Sequence, residues 1–294
     1  MTDLTWGIVG GLGCGLNWAV TSLLVRTLSG TLTPAGIGAI RATGGGSLLV
    51  LAAVLAGEGP DMLAAPFWAV LSLWAAILLA MALGDTLFFH GMEYLGVTRA
   101  LTLGLANPLL TTLTGILLYG ETMTVFRLVG IALVIWGLVL IIAGRGAEGA
   151  GSGQATQRGL RLVFLAAAAW AVSTTIVKPA LQALPVLTGT ALRIPFAGLI
   201  LWLTPWTRGT LHALRTSTRR ERVCLGVLCL LNAFGSALFT IAIRFGGVAV
   251  GNALASTSPL FAIPLEVWIL KQRPSWETVV GALITVAGIA CLNF

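Results

Sequence analysis

Ten stretches of about 20 mostly apolar residues follow one another along this chain, and no other feature constrains its fold as tightly. They cover residues 4–28, 34–56, 66–94, 97–119, 124–144, 159–181, 185–206, 222–244, 247–270 and 275–293. A helix rises about 1.5 Å per residue, so about 20 residues cross the roughly 30 Å hydrocarbon core of a bilayer. Lipid offers no partner to a free backbone N–H or C=O, so each run must satisfy its own, which α-helices do. The charge content agrees: 9% of the 294 residues are charged, against about 25% in soluble domains. The expectation is an all-α integral membrane protein with ten transmembrane helices. The first run follows Met1-Thr2-Asp3 directly, without a basic leader, and reads as the first span rather than a cleaved signal.

The breaks between runs have local causes. Pro34 and Pro185 each open a helix, while Gly57-Glu58-Gly59-Pro60 and Arg273-Pro274 interrupt the pattern. A Gly-, Ala- and Ser-rich polar stretch ending at Gln157 reads as a flexible linker. The net charge of +7 is concentrated in loops, which is the pattern of a topology signal and not of a nucleic-acid binder.

An internal repeat organises the ten spans. Trp18-Ala19-Val20 matches Trp170-Ala171-Val172, Val25-Arg26 matches Val177-Lys178, and Arg41 matches Arg193, all at an offset of 152. Gly84 matches Gly235, Phe88 matches Phe239, Gly96-Val97 matches Gly247-Val248, Pro108-Leu109 matches Pro259-Leu260, Gly130 matches Gly281 and Gly137 matches Gly288, at an offset of 151. The division that follows is residues 1–144, a linker at 145–157, and residues 158–294. Five spans per half is odd, so the second half enters from the opposite side. That is an inverted-topology repeat, a plan common in secondary transporters with a site near the midplane.

The paired Trp18/Trp170, Arg41/Arg193 and Pro108/Pro259 in two five-helix halves resemble the EamA branch of the drug/metabolite transporter superfamily. Pro108, Leu118-Tyr119-Gly120-Glu121 and Gly130 look like that family's "P…LGE…G" signature. The second half departs from it, with Lys271-Gln272 where Gly-Glu would recur. Glu121 itself reads as a helix-end feature at the start of the fifth span. The resemblance implies a basket-like fold with a central cavity formed by both halves, and movement of small metabolites, amino acids or drugs.

Ionisable residues inside spans cost about 2.5–3.5 kcal/mol each on the insertion scale, so they mark candidate chemistry. Arg41 and Arg193 lie roughly 10–12 Å into their helices at 1.5 Å per residue. They either hold a carboxylate or phosphate of a substrate, or are locked to protein acceptors and position the halves. The third span carries Asp85, His90 and Glu93, all able to face one polar cavity. Asp85 either pairs with Arg41 or Arg193 or accepts a proton during transport. His90 and Glu93 are read with Asp85 as candidates for proton or ion coupling, and His90 also as a substrate contact. The alternative for His90 and Glu93 is the polar rim. Their counterparts in the second half are Ser236, Ile241 and Arg244, so the cluster is not duplicated.

Asn17, Trp18 and Trp170 sit mid-span, where tryptophan lines a cavity or fills a helix–helix gap. Asn107-Pro108 and Ser258-Pro259 place polar residues beside a proline that frees a carbonyl near position i−4. With Asn252 and Ser256 they are expected at the cavity. Glu266 is either a gate residue or a partner of Lys271 or Arg273 at the interface. Gly7, Gly11 and Gly15 have GxxxG spacing, which permits close packing within the monomer or in a homodimer. Cys14, Cys224, Cys229 and Cys291 form no CxxC pair and read as apolar packing residues.

The function expected is a secondary active transporter or exporter of small organic solutes, working by alternating access in the inner or plasma membrane. Its partners are a small-molecule substrate and the bilayer, with proton or exchange coupling. No catalytic set, metal site or cofactor is expected, and no Walker A, HExxH or GxSxG motif occurs. The alternatives are a lipid or lipid-linked-sugar flippase of the same plan and an integral-membrane enzyme. Orientation is open: twelve Lys and Arg in odd-numbered loops against three in even-numbered ones put both termini outside, whereas the resemblance suggests termini inside.

Overall fold

The computed structural model describes residues 3–119, 124–143, 153–271 and 274–292, which are almost wholly helical and contain no strand. The helices are α1 (Asp3–Leu28), α2 (Pro34–Leu55), α3 (Phe67–Leu95), α4 in two pieces (Val97–Gly104 and Ala106–Tyr119) and α5 (Val125–Ala143). The second half holds α6 (Gly153–Ala183), α7 (Val186–Leu203), α8 (Arg219–Ala255), α9 (Ser258–Leu270) and α10 (Trp276–Leu292). Among the described residues six helices are long and apolar enough to cross a membrane unaided, and shorter apolar helices accompany them. Glu121, Gln272 and Arg273 lie outside the described residues, as do the side chain of Asn252 and much of the expected linker.

The starts of helices carry caps that the sequence provides. The Thr33 hydroxyl accepts the Gly36 N–H at 3.1 Å, with Pro34 in the first turn, where no N–H is needed. Thr218 and Glu221 form a reciprocal capping box at α8: Glu221 accepts from the Thr218 N–H and hydroxyl, and the Thr218 hydroxyl accepts from the Glu221 N–H. Ser275 caps α10 through the Thr278 N–H.

Two expected boundaries move. The helical assignment does not stop near residue 245, and α8 is continuous over 37 residues. Its course nevertheless bends back between the eighth and ninth spans, because Gly10 meets Leu238 and Ala242 while Gly15 meets Leu254 and Ala255, and Phe239 and Ala255 line one cavity. In the first half Gly96 takes φ 79° and ends α3, whereas Gly246-Gly247 remain helical, which glycine tolerates at a cost of about 1 kcal/mol. The interruption comes instead at Ser256-Thr257, directly before Ser258-Pro259. Its mirror is Leu105, before Asn107-Pro108. Both follow from proline, which lacks the N–H and collides with the carbonyl four residues earlier. The second correction is that α6 begins at Gly153, so residues 153–157 of the expected linker are helical.

The halves interlock by a pseudo-two-fold relation. α1 packs on α8 as α6 packs on α3, α2 packs on α7, and α5 packs on α10. Glycines make the self-paired contacts reciprocal. A Cβ at Gly46 would stand 2.8 Å from the Pro195 nitrogen, and one at Gly198 2.9 Å from the Thr43 nitrogen. Both residues of one contact are offset by 152 from those of the other. A Cβ at Gly137 would meet the Gly281 carbonyl at 2.7 Å and Thr285, while one at Gly288 would meet the Gly130 carbonyl at 2.9 Å and Val134. The repeated glycines are therefore the contact surface of the repeat. Gly10 and Gly15 of α1 likewise press on α8 and the α8–α9 break, so close helix approach is used within the chain.

Contacts between loops sort the two faces. Thr31 hydrogen-bonds Glu221, Thr33 donates to the Trp206 carbonyl, Arg26 donates to the Glu93 carbonyl, Arg158 lies over Tyr94, and Glu266 reaches Val97 and Thr98. All the odd-numbered loops with described contacts thus share one face, and that face carries Arg208, Arg215, Arg219, Arg220 and Arg222.

Candidate functional site

Between the halves lies a cavity of about 260 Å³, lined by α1–α4 and α6–α9. Four helices show how it is closed. The cavity residues are Cys14–Thr21 on α1, Ile77–Phe88 on α3, Trp170–Val177 on α6 and Leu231–Phe239 on α8. On each, the large buried cluster lies on the arginine-rich side of that stretch, with Leu23, Met92, Val163 and Leu228 among its members. This apolar plug seals the cavity toward the arginine-rich face.

The geometry of α3 makes the polar centre. Leu78–Asp85 is a π-helical stretch, a distortion frequent at functional sites. Its neighbour α6 takes up two of the carbonyls there: Ser173 Oγ donates to the Ala76 carbonyl at 2.8 Å, and Trp170 Nε1 to that of Ala80 at 3.1 Å. Trp170 Nε1 also lies 3.0 Å from Asp85 Oδ1. A Cβ at Gly84 would stand 2.6 Å from this nitrogen, so only glycine lets the indole in. The mirror contact sets Gly235 against the Asn17 amide. Arg41 Nη2 donates to Asp85 Oδ2, and the guanidinium lies 5.7 Å from the Trp18 ring centroid and 5.1 Å from that of Phe89. Asn232 of α8 donates to the Arg41 carbonyl at 3.2 Å. Trp18, Phe88 and Trp170 complete an aromatic wall with centroids 5.2–5.8 Å apart.

Arg193 is the repeat counterpart of Arg41 and is treated differently. It is 7% exposed and lines the cavity. Its guanidinium lies 5.6 Å from the Phe239 ring centroid, and its Nε has no hydrogen-bond partner. Among the described residues no carboxylate pairs with it; the arginine–carboxylate ion pair is Arg41–Asp85.

The structure thus brings Asn17, Trp18, Arg41, Asp85, Asn107, Trp170, Arg193, Ser256 and Ser258 to one cavity. Of the two partners open to Asp85, it has Arg41. His90 and Glu93 do not line the cavity; they pair with each other at 3.4 Å in partly exposed positions. The reason is axial: Glu93 stands about 12 Å along the helix from Asp85 at 1.5 Å per residue. Glu266 does not pair with Lys271. It is 2% exposed and caps α4, accepting the Val97 and Thr98 N–H groups at 3.1 and 3.2 Å and the Thr98 hydroxyl. Sequence reasoning missed Thr21, Ser173, Thr174 and Asn232 in the lining. Only for Asn232 was a signal present, the Gly44-Gly45 pair that admits α8 to α2.

The model of the EamA-like transporter family matches residues 5–143 and again 157–294. The chain belongs to this family. As an EamA-like transporter it has the two-repeat drug/metabolite transporter fold and is a multi-pass membrane protein. Two relatives from Archaeoglobus fulgidus, each named an uncharacterized transporter, are similar to it. One is 29% identical over 138 residues, 47% of this chain and 48% of the relative. The other is 27% identical over 215 residues, 73% of each. This chain therefore spans about half the length of the first relative in their match. A solved structure described only as the crystal structure of a protein superposes with a TM-score of 0.71 at 19% identity, covering 97% of this chain and 94% of that one. That likeness speaks to the fold alone.

Proposed function

We propose that this EamA-like transporter is a secondary active carrier of small organic solutes, held in the cavity between the halves and released by alternating access. The observation that carries the reading is the cavity itself: both repeats line it, it contains buried charge, and an apolar plug closes one end. A charged group in that position is costly and has a use if a solute or ion must be met there. The volume of about 260 Å³ lies just under the usual span for small-molecule pockets, about 300–1,000 Å³. It suits a metabolite better than a lipid with two acyl chains.

In the reading proposed, the solute enters from the face opposite the arginines and rests against Trp18, Phe88 and Trp170. The halves then rock about the α2–α7 and α5–α10 contacts, which are self-paired and change little under a two-fold exchange of roles. The plug around Leu23, Met92 and Leu228 parts, and its mirror region closes. Asp85 is the candidate coupling group, because its carboxylate is buried, faces the cavity and has two donors to release or retain.

The test is transport by purified protein in proteoliposomes, with a mixture of amino acids, small carboxylic acids and amines inside and the efflux followed by mass spectrometry. Counterflow of at least one solute in the absence of ATP is the expected result. A protein that carries none of them, and instead moves labelled phospholipid between leaflets, would favour a flippase.

A further inference from the structure

The repeat pairs Arg41 with Arg193 and Asp85 with Ser236. In the first half the arginine has its acid. In the second half the acid is replaced by a serine, which lines the same cavity. The frame is therefore symmetric while the charge is not: one buried pair is neutral, and one guanidinium stands without a counter-ion among the described residues. The formal charge of the cavity is one positive unit. Two further features favour negative charge there. The second piece of α4 begins at Ala106 and α9 begins at Ser258, beside cavity residues Leu105, Asn107 and Ser256, and helix starts carry partial positive charge. The thiol-bearing residue Cys14 lines the same cavity as Arg193.

We infer that Arg193 is the counter-ion of the transported solute, which is a small monocarboxylic acid or zwitterion whose carboxylate rests on this guanidinium. The inference rests on the transport reading above. One unpaired cation matches one carboxylate; a phosphate monoester, with about −1.5 to −2 charge at neutral pH, overfills the site. Arg41, already neutralised by Asp85, shapes the opposite wall. The planar guanidinium offers paired donors that fit a carboxylate, and the aromatic wall receives the apolar body of the solute.

The test uses the full chain and needs no known substrate. Cys224, Cys229 and Cys291 are replaced by Ala, so Cys14 beside Arg193 is the single thiol. Its modification by an anionic methanethiosulfonate (sulfonatoethyl) and a cationic one (trimethylammonioethyl) is compared, each rate divided by that on free cysteine. One uncompensated charge about 12 Å away at an effective dielectric near 20 is worth about 1.4 kcal/mol, attracting the anionic reagent and repelling the cationic one, which together give about a hundredfold preference for the anionic reagent. Arg193→Gln removes the preference, Arg193→Lys keeps it, and Ser236→Asp removes it with the guanidinium in place, by restoring the missing acid. Gel filtration checks that each variant is monodisperse. Equal rates in the parent, a faster cationic reagent, a Cys14 inert to both, or a preference that survives Arg193→Gln each overturns the assignment. The proteoliposome assay separates the two claims. Efflux confined to amines, or efflux of acids unchanged by Arg193→Gln, refutes the role of Arg193 and leaves transport standing. Charge selectivity at Cys14 with no solute carried upholds the anion site and refutes transport.

Discussion

Asp85→Asn is the most informative single change, because it removes a charge and keeps an acceptor. The Asn oxygen can still take the Trp170 indole N–H, so the α3–α6 contact survives, and what is lost is the partner of Arg41. Two charges about 4 Å apart at an effective dielectric near 20 attract by about 4 kcal/mol, and removing one member of a buried pair costs about 3–5 kcal/mol because the survivor stays buried. Arg41 is 2% exposed, so its charge stays largely buried once Asp85 is neutral. The rings of Trp18 and Phe89 return part of this, about 1–2 kcal/mol. The net expectation is a loss of about 2–3 kcal/mol, read as equilibrium unfolding in mixed micelles. Arg41→Met with Asp85→Leu should recover at least half of the loss, since no uncompensated charge then remains. An Asp85→Asn protein within about 0.5 kcal/mol of the parent, on the scale of ordinary surface changes, would refute the reasoning. So would a double variant less stable than either single one.

Other expectations follow from the same contacts. Asp85→Asn should abolish gradient-driven transport and leave counterflow exchange; loss of neither would remove Asp85 from the coupling scheme. Gly288→Ala puts a methyl group 2.8 Å from the Val134 nitrogen, which is backbone and cannot turn away. It should cost about 1–3 kcal/mol in the same unfolding assay, and Gly137→Ala should cost a similar amount by the reciprocal contact. Glu266→Ala leaves two buried N–H groups of α4 unmet and should cost about 2–3 kcal/mol, while Lys271→Ala, an exposed site, should leave stability unchanged. A periplasm-sensitive reporter fused after Phe294 should report the outside, because the arginine-rich face is the one expected in the cytoplasm.

The parts legible in the sequence were those written as composition or as repetition. Apolar runs marked the spans, prolines at 108 and 259 marked the paired breaks, and the offset glycines marked where halves touch. What the one-dimensional pattern lacks is the pairing of side chains distant in sequence. Asp85 had two arginines within its reach, and only the packing of α2 on α3 selects Arg41. Glu266 looked like an interfacial acid because Lys271 is five residues away; its true partners lie 168 and 169 residues off at the start of α4. His90 and Glu93 were grouped with Asp85 by helical angle, and axial distance separates them. The continuity of α8 was hidden for a different reason. A glycine permits a break without requiring one: α3 ends at Gly96, whereas α8 bends back around Gly246-Gly247 with its helical bonding kept.

In the alternating-access reading proposed here, a duplicated transporter has a reason to keep its frame symmetric and its charges not. Exchange of roles between halves needs reciprocal contacts, and those at Gly46/Gly198 and Gly137/Gly288 are reciprocal residue for residue. If both arginines were paired, the cavity would be neutral and would hold a neutral solute with no preference for either end. If neither were paired, two buried guanidinium groups would face each other across a small space, with costs that stability could not bear. One acid exchanged for one serine resolves this: Arg41 and Asp85 fix the wall, and Arg193 stays open to a ligand. The substitution Ser236→Asp is the direct examination of that logic, because it makes the charges as symmetric as the frame. It should give a protein more stable and less able to hold an acid, and a variant that gains stability while still carrying acids would show that the asymmetry serves some other end.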